Sequence, residues 1–280
     1  MAEIFTSTKG EKLRALILAA GFGSRLMPLT KDKPKCMVEY AGRAIIDYEI
    51  EALRACGIDE IAVVGGYLYP VLESYLSKHS IHTMYENPNY ASTNMVQTML
   101  CAREWIEGCA KEGQDLLISY ADIVYFAPCV QKLCKSSAPL SIAVDKQWHR
   151  LWQMRFSDVL LDAESLKIHN GKITELGKKP KSLDEIQGQY MGLFMFRHDF
   201  LPQMLAFYDG LDRSAIYDGK DFANMYMTSF LQALIDTFDN AQAVEIDGGW
   251  LEVDMPSDLT ISLRDIQALQ IRACDARAAR

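Results

Sequence analysis

Apolar residues along this chain fall into short unbroken runs separated by stretches with a helical repeat. The runs are "LRALILAA" (13–20), "EIAVVGG" (60–66), "IHTMYEN" (81–87), "DLLISYAD" (115–122), "LSIAVD" (140–145), "YMGLFMF" (190–196) and "AVEIDG" (243–248). Several of these lack polar alternation, which predicts strands buried on both faces, as in a parallel sheet. Between them, "IDYEIEALRACG" (46–57) sets Ile46, Ile50, Leu53 and Ala52 on one side of a helix that stops at Gly57. "VLESYLSKH", "TNMVQTMLCAREWIEGCAK" and segments near 199–211 and 221–237 predict further helices. Strand–helix alternation through residue 145 predicts an α/β fold, a doubly wound, mostly parallel, Rossmann-like sheet with its site at the C-terminal strand ends.

The pattern changes at 146–190, which is aromatic and charged, with Asn170-Gly171 as a hairpin turn between "ESLKIH" and "KITELG". This segment reads as a β-rich lid inserted to cap the sheet. The expected organisation is a polar tail (1–12) and one domain (13–280) that ends in a helix from about 256 to 280.

Composition excludes some partners. A chain of 280 residues can bury a full α/β core, and a formal net charge of -8 disfavours wrapping nucleic acid through a global field. The seven cysteines (36, 56, 101, 109, 129, 134, 274) form no CxxC pair and read as reduced thiols. No run approaches a membrane span, and "MAEIFTSTKGEKLR" lacks the apolar core of a signal peptide. The expectation is a cytoplasmic protein with neither nucleic acid nor membrane as partner.

The candidate chemistry begins at the end of the first strand, in "LILAAGFGSRLMPLTKDKPK" (16–35). Gly21 and Gly23 leave backbone N–H groups uncrowded, which suits phosphate oxygens or a base edge; Arg25 and Lys35 add a forked cation and a point charge. Pro28 and Pro34 predict a rigid, extended segment between those cations. The stretch is neither a Walker loop nor a dinucleotide fingerprint, since Gly-Lys-Ser/Thr is missing and Leu26 stands at the third glycine's place. From spacing alone, an ordinary glycine turn and a phosphate cradle both remain open. Elsewhere, Asp122 closes a strand, and Glu252 and Asp254 in "WLEVD" are two apart and so project the same way from a strand. Each also reads as a solvated turn, and Asp258 reads as a cap for the last helix.

The stretch "LAAGFGSRLMPLTKDKPKCMVEYAGRAIIDYEIEAL" resembles the signature of the nucleotidyltransferases that activate sugar 1-phosphates and phosphocholine, L-A-A-G-x-G-[ST]-R-x-x-P-x-T-x-x-x-P-K, with every fixed position present. The resemblance implies that a phosphate-bearing acceptor attacks the α-phosphate of a nucleoside triphosphate and releases pyrophosphate. It implies that Leu18, Ala19, Ala20, Gly21 and Gly23 contact base and ribose, and that Arg25 and Lys35 are catalytic, gripping the triphosphate. Gly66 and Tyr67, and Thr93 and Asn94, match the other nucleotide-contacting stretches, although Asn94 and its neighbours also suit a helix cap. Asp122, Glu252 and Asp254 match the positions that hold Mg²⁺.

On the acceptor side, Lys179 in "ELGKKP" matches the lysine that contacts the acceptor phosphate. Lys178 replaces the acid that contacts sugar hydroxyls. That departure, with W-x-E-x-D, resembles CTP-using members of phosphocholine type more than the sugar enzymes. Trp148, Trp152, Tyr190 and Tyr226 suit an aromatic cage for an ammonium and equally the packing of a hairpin. His149, Arg150 and Arg155 suit an acceptor with anionic oxygens, and Asp162 and Glu164 an ammonium. From "DKQWHRLW" to "GGWLEVD" the chain looks like the subgroup that joins CMP to L-glutamine phosphate in capsular phosphoramidate synthesis. That likeness sets Trp148, Trp152, Arg155, Lys179 and Tyr190 around the acceptor. Phosphocholine, 2-aminoethylphosphonate and sugar 1-phosphates are the rival acceptors. A catalytically silent nucleotide-binding regulator is the rival of another class, and it sits poorly with an intact Lys35 and acidic set.

Overall fold

The apolar runs fold as strands because each lies between two apolar layers. The computed structural model describes residues 13–269. In chain order its elements are β1 (Leu13–Ala19), β2 (Glu39–Tyr40), β3 (Arg43–Ala44), α1 (Ile45–Arg54), β4 (Ile61–Gly65), α2 (Tyr69–Ser77) and β5 (Thr83–Glu86). Next come α3 (Met95–Cys101), α4 (Arg103–Glu112), β6 (Asp115–Tyr120), β7 (Ile123–Tyr125), α5 (Ala127–Leu133), β8 (Leu140–Asp145) and α6 (Trp148–Arg155). The rest are β9 (Leu166–His169), β10 (Lys172–Leu176), β11 (Gln189–Phe196), α7 (Leu201–Asp209), α8 (Met227–Phe238), β12 (Ala241–Ile246) and β13 (Trp250–Glu252).

Among the described residues, nine strands form one sheet in the order β5-β4-β1-β6-β11-β8-β12-β10-β9. Helices cover both faces. Ile46, Ile50 and Leu53 of α1 pack with Leu72, Val130 and Leu151 on one side; Met99, Ile106, Met204 and Leu234 fill the other. β1 is parallel to both β4 and β6, so their C-terminal ends lie together, as the alternating pattern predicts.

The acceptor half departs from that simple parallel order. β11 runs antiparallel to both β6 and β8, which an apolar run alone could not reveal because burial on two faces says nothing of direction. The Asn170–Gly171 turn forms, with φ of 52° and 80°, and its hairpin β9–β10 continues the main sheet through β12. The charged aromatic stretch before it forms the helix α6, with Trp148, Leu151 and Trp152 buried. Backbone after Asp258 is helical at 263–269; the tail at 1–12, Cys274 and the rest of the expected C-terminal helix lie outside the described residues. Asp265 N–H donates to Ser262 Oγ (3.2 Å), so a serine caps that helix and Asp258 does not. The six cysteines described are free thiols, and among the described residues no helix is long and apolar enough to cross a membrane.

A separate ribbon positions the distant acids. β13 pairs antiparallel with β7, setting Glu252 opposite Ile123, and Val253 N–H donates to the Asp122 carbonyl at 2.8 Å. The end of β6 and the W-x-E-x-D stretch, about 130 residues apart in sequence, thereby become neighbours.

Candidate active site

The loop after β1 is compact, not extended. Gly23 has φ of 66°, and the chain winds through tight turns at Ser24–Leu26 and Lys35–Met37. A Cβ on Gly23 would stand 2.9 Å from Cβ of Lys35, so glycine is required here for the loop to fold back on itself. Thr30 Oγ donates to the Gly23 carbonyl (3.1 Å) and fastens the return. The prolines therefore serve a doubled-back loop that delivers Lys35 beside the glycines.

The loop after β4 closes against it. Tyr67 N–H donates to the Ala20 carbonyl (3.1 Å), and Gly66 lies so close to Ala20 that a Cβ would come within 2.9 Å of that oxygen. The ring of Phe22 meets that of Tyr67 edge-on at 4.4 Å. Leu18, Ala19 and Ala20 are buried, whereas Gly21 is exposed with open space where a Cβ would be. Asn94 caps α3, its side-chain oxygen accepting from Met95 N–H at 2.8 Å, and Thr93 Oγ1 donates to the Asn89 carbonyl (2.9 Å). Asn94 also lines the cavity beside Arg25 and Asp254.

Lys35 reaches from this loop to the acids. Its Nζ lies 2.7 Å from Asp122 Oδ2 and 2.8 Å from Asp254 Oδ1, and Arg25 lies 2.5 Å from the other Asp254 oxygen. Burial opposes the charge on Lys35, but the fields of Asp122, Asp254 and Glu252 outweigh it and hold the amine protonated. Glu252 is shifted upward by burial, against the pull of Arg155.

Arg155 and Asp258 sit behind these acids. The Arg155 guanidinium, 1% exposed, is 2.8 Å from Glu252 and 3.1 Å from Asp258, whose side chain is 0% exposed. Asp258 Oδ2 also accepts from the backbone N–H groups of Asp254 (2.9 Å) and Met255 (2.8 Å). Arg155 is thus engaged in bracing the acidic turn, and it does not line the cavity beside Arg25 and Asp254. Asp145 supplies a second brace, accepting from Trp250 Nε1 (2.8 Å), Gly248 N–H (2.9 Å) and Gln147 N–H (2.8 Å).

A cavity of about 350 Å³ opens beside Arg25 and Asp254, with Trp152, Tyr190, Tyr226, Asp162, Glu164 and Glu252 on its wall. Of the residues expected near an acceptor, Trp152 and Tyr190 are there. Trp148 is 6% exposed and packs against Trp152 in the core. Lys179 donates to the carbonyls of Leu160 (2.5 Å) and Leu161 (2.7 Å), so its amine is committed to the backbone.

Residues 14–267 match the family model for nucleotidyl transferases. The chain belongs to the nucleotidyl transferase family. It is 59% identical over 251 residues to the CTP:phosphoglutamine cytidylyltransferase of Campylobacter jejuni, covering 90% of this chain and 99% of that protein. It is 34% identical over 92 residues to the choline-phosphate cytidylyltransferase of Streptococcus pneumoniae, covering 33% of this chain and 40% of that one. The fold is shared with the inositol-1-phosphate CTP transferase of T. maritima, at a TM-score of 0.70 and 17% identity, over 93% of this chain and 96% of that one.

This nucleotidyl transferase is therefore an enzyme, and a divalent metal goes with the family. The residues fit such an ion by their chemistry. Asp122, Glu252 and Asp254 offer only hard oxygen donors, and Asp122 Oδ1 is buried with no hydrogen-bond partner. They do not form a ready-made cage: among the described residues no three His, Cys, Asp or Glu side chains converge on one point. Lys35 instead lies between two of the acids. Mg²⁺-type sites need few carboxylates when phosphate oxygens complete them, so this arrangement suits a metal shared with a nucleotide.

Two residues central to this nucleotidyl transferase site had no clear sign in the sequence. Asp145 ends a strand run, and Asp258 looks like a helix cap; only the burial of each carboxylate beneath the W-x-E-x-D stretch reveals its task.

Proposed function

We propose that this enzyme transfers CMP from CTP to a small phosphorylated acceptor, with L-glutamine phosphate the best candidate, giving CDP-L-glutamine and pyrophosphate. The observation that carries this reading is the likeness over nearly the whole chain to a phosphoglutamine cytidylyltransferase, together with the junction of Arg25 and Lys35 with Asp122 and Asp254. An oxygen of the acceptor phosphate attacks the α-phosphorus of CTP while the bond to the β-phosphate oxygen breaks. The acceptor oxygen is already anionic, so no protein group has to remove a proton.

In this reading the backbone at Leu18, Ala19, Ala20, Gly21 and Gly23, with Gly66, Tyr67, Thr93 and Asn94, seats cytidine and ribose. Arg25 and Lys35 move from carboxylate to phosphate oxygens and neutralise the charge that develops on the leaving pyrophosphate. Asp122, Glu252 and Asp254 would hold Mg²⁺, and the ion when bound would supply charge neutralisation at the phosphates. Trp152 and Tyr190 border the acceptor, while Trp148, Arg155 and Lys179 support the wall from behind. The site of action is the cytoplasm, where CTP and Mg²⁺ are supplied.

The test is pyrophosphate release from purified protein with Mg²⁺, each of the four ribonucleoside triphosphates, and L-glutamine phosphate. Release is expected with CTP and is lost on adding EDTA. If CTP binds but none of the acceptors brings about release, a silent nucleotide-binding regulator is favoured and the proposal is refuted. Phosphocholine and 2-aminoethylphosphonate belong in the same assay, because aromatic Trp152, Tyr190 and Tyr226 on the cavity wall suit a bare ammonium as well.

A further inference from the structure

The cavity is lopsided in charge. Among the described residues Arg25 is its one lining cation, whereas Asp162, Glu164, Glu252 and Asp254 all line it. Asp254 is matched by Arg25 and Lys35, and Glu252 by Arg155. Asp162 and Glu164 are different: among the described residues no side chain forms an ion pair or hydrogen bond with either carboxylate. Lys179, whose field reaches Glu164, has its amine on the Leu160 and Leu161 carbonyls.

Glu164 is nevertheless held in place. Its N–H donates to Gln189 Oε1 (3.1 Å), and Gln189 Nε2 donates back to its carbonyl (2.5 Å). Gln189 is 2% exposed on β11, and the neighbours of Glu164, Ala163 and Ser165, are 1% and 2% exposed. Burial pushes the Glu164 carboxyl up to about 7, so its charge is costly until a cation arrives. One unmatched donor belongs to the same wall. The Trp152 indole N–H is buried with no partner, and Trp152 is only 3% exposed. A buried donor of this kind is normally satisfied, so it wants an oxygen that the protein does not provide. The Tyr190 hydroxyl lies against that of Tyr120, which also lines the cavity.

We propose that Glu164, with Asp162 at the rim, is the subsite for the ammonium of the acceptor, and that the Trp152 N–H receives the acceptor's carboxylate. This wall then reads the zwitterionic head of an amino acid whose phosphate lies toward Arg25. Gln189 is a positioning residue that fixes Glu164. Phosphocholine would leave the Trp152 donor unmet, and a sugar phosphate would leave the acids unmet. The inference rests on the acceptor reading given above.

The test measures binding separately from turnover. The protein, saturated with α,β-methylene CTP and Mg²⁺, is titrated calorimetrically with L-glutamine phosphate and with its counterpart lacking the α-amino group. Glu164→Gln keeps the shape and removes the charge. It is expected to weaken L-glutamine phosphate roughly 10- to 100-fold, as loss of a charge-assisted contact does. The counterpart without the ammonium should bind wild type and Glu164→Gln within about twofold of each other. The variant should leave the affinity for the CTP analogue unchanged. Equal weakening of both ligands by Glu164→Gln, no weakening of either, or failure of wild type to bind L-glutamine phosphate overturns the subsite. If this binding pattern holds but no pyrophosphate is released, cytidylyl transfer fails and the subsite stands. If pyrophosphate is released and the pattern is absent, the subsite alone fails.

Discussion

Replacing Arg155 with methionine separates a brace from an acceptor contact. The guanidinium is 1% exposed and lies between Asp258, which is fully buried, and Glu252. It also stacks over the rings of Trp152 (5.2 Å) and Phe156 (4.9 Å). Methionine would retain part of that packing but leave the Asp258 charge to two backbone N–H groups alone. Breaking a buried pair by deleting one partner costs roughly 3–5 kcal/mol, chiefly because the survivor stays charged and unpaired. For a chain of this size each kcal/mol lowers Tm by about 2–4 °C, so Arg155→Met should unfold roughly 6–20 °C below wild type. The double variant Arg155→Met/Asp258→Asn, which removes the stranded charge, should recover part of that loss. Thermal unfolding followed by circular dichroism gives the Tm, and steady-state kinetics well below the transition gives KM for the acceptor. A Tm within about 2 °C of wild type, together with a raised acceptor KM, would refute the brace. It would return Arg155 to the acceptor role that family likeness suggests.

Three further outcomes are expected. Lys35→Met should lower kcat by about 10²- to 10³-fold, the scale set by losing one preorganised group at developing charge, while the far-ultraviolet spectrum stays native; kcat within threefold of wild type would exclude Lys35 from the reaction. Gly23→Ala forces a side chain into the left-handed region and against Lys35 Cβ at 2.9 Å. It should cost about 1–2 kcal/mol in stability, and turnover should fall more than that loss explains, which equilibrium unfolding and kinetics measured together would reveal. Asp145→Asn cannot accept on both oxygens from Trp250, Gly248 and Gln147. Denaturant unfolding should show a loss of about 1–3 kcal/mol, and an unchanged midpoint would mean the contacts contribute nothing.

Much of the nucleotide half was legible in the sequence, for physical reasons that differ from element to element. β1, β4 and β6 are apolar on both faces, so their runs stand out without alternation. Gly57 marks the end of α1 because it adopts φ of 78°, which few other residues tolerate. The acceptor half was less legible. β11 looks like another parallel strand, since direction depends on connections and not on the side chains it buries. Trp148 to Arg155 mixes aromatic and charged residues without a clean apolar stripe, yet α6 buries the charge of Arg155 along with both tryptophans. Its partners, Glu252 and Asp258, lie about 100 residues away, so no local pattern exposes the pairing. Glu164 was readable as an acid of the right sign, but its clamp by Gln189 depends on the loop before β9 meeting β11.

The mutual pairing of Arg25 and Lys35 with Asp122 and Asp254 bears on how a nucleotide finds the enzyme. Cations already held against carboxylates at 2.5–2.8 Å project little field into solvent. The chain as a whole carries a net charge of -8. An approaching triphosphate therefore meets weak long-range repulsion and no beacon, and attraction begins only at contact, when phosphate oxygens compete for the lysine and arginine. Capture of this sort gains nothing from dilute buffer. Added salt should leave the association rate level or raise it slightly, the opposite of what an open basic funnel produces.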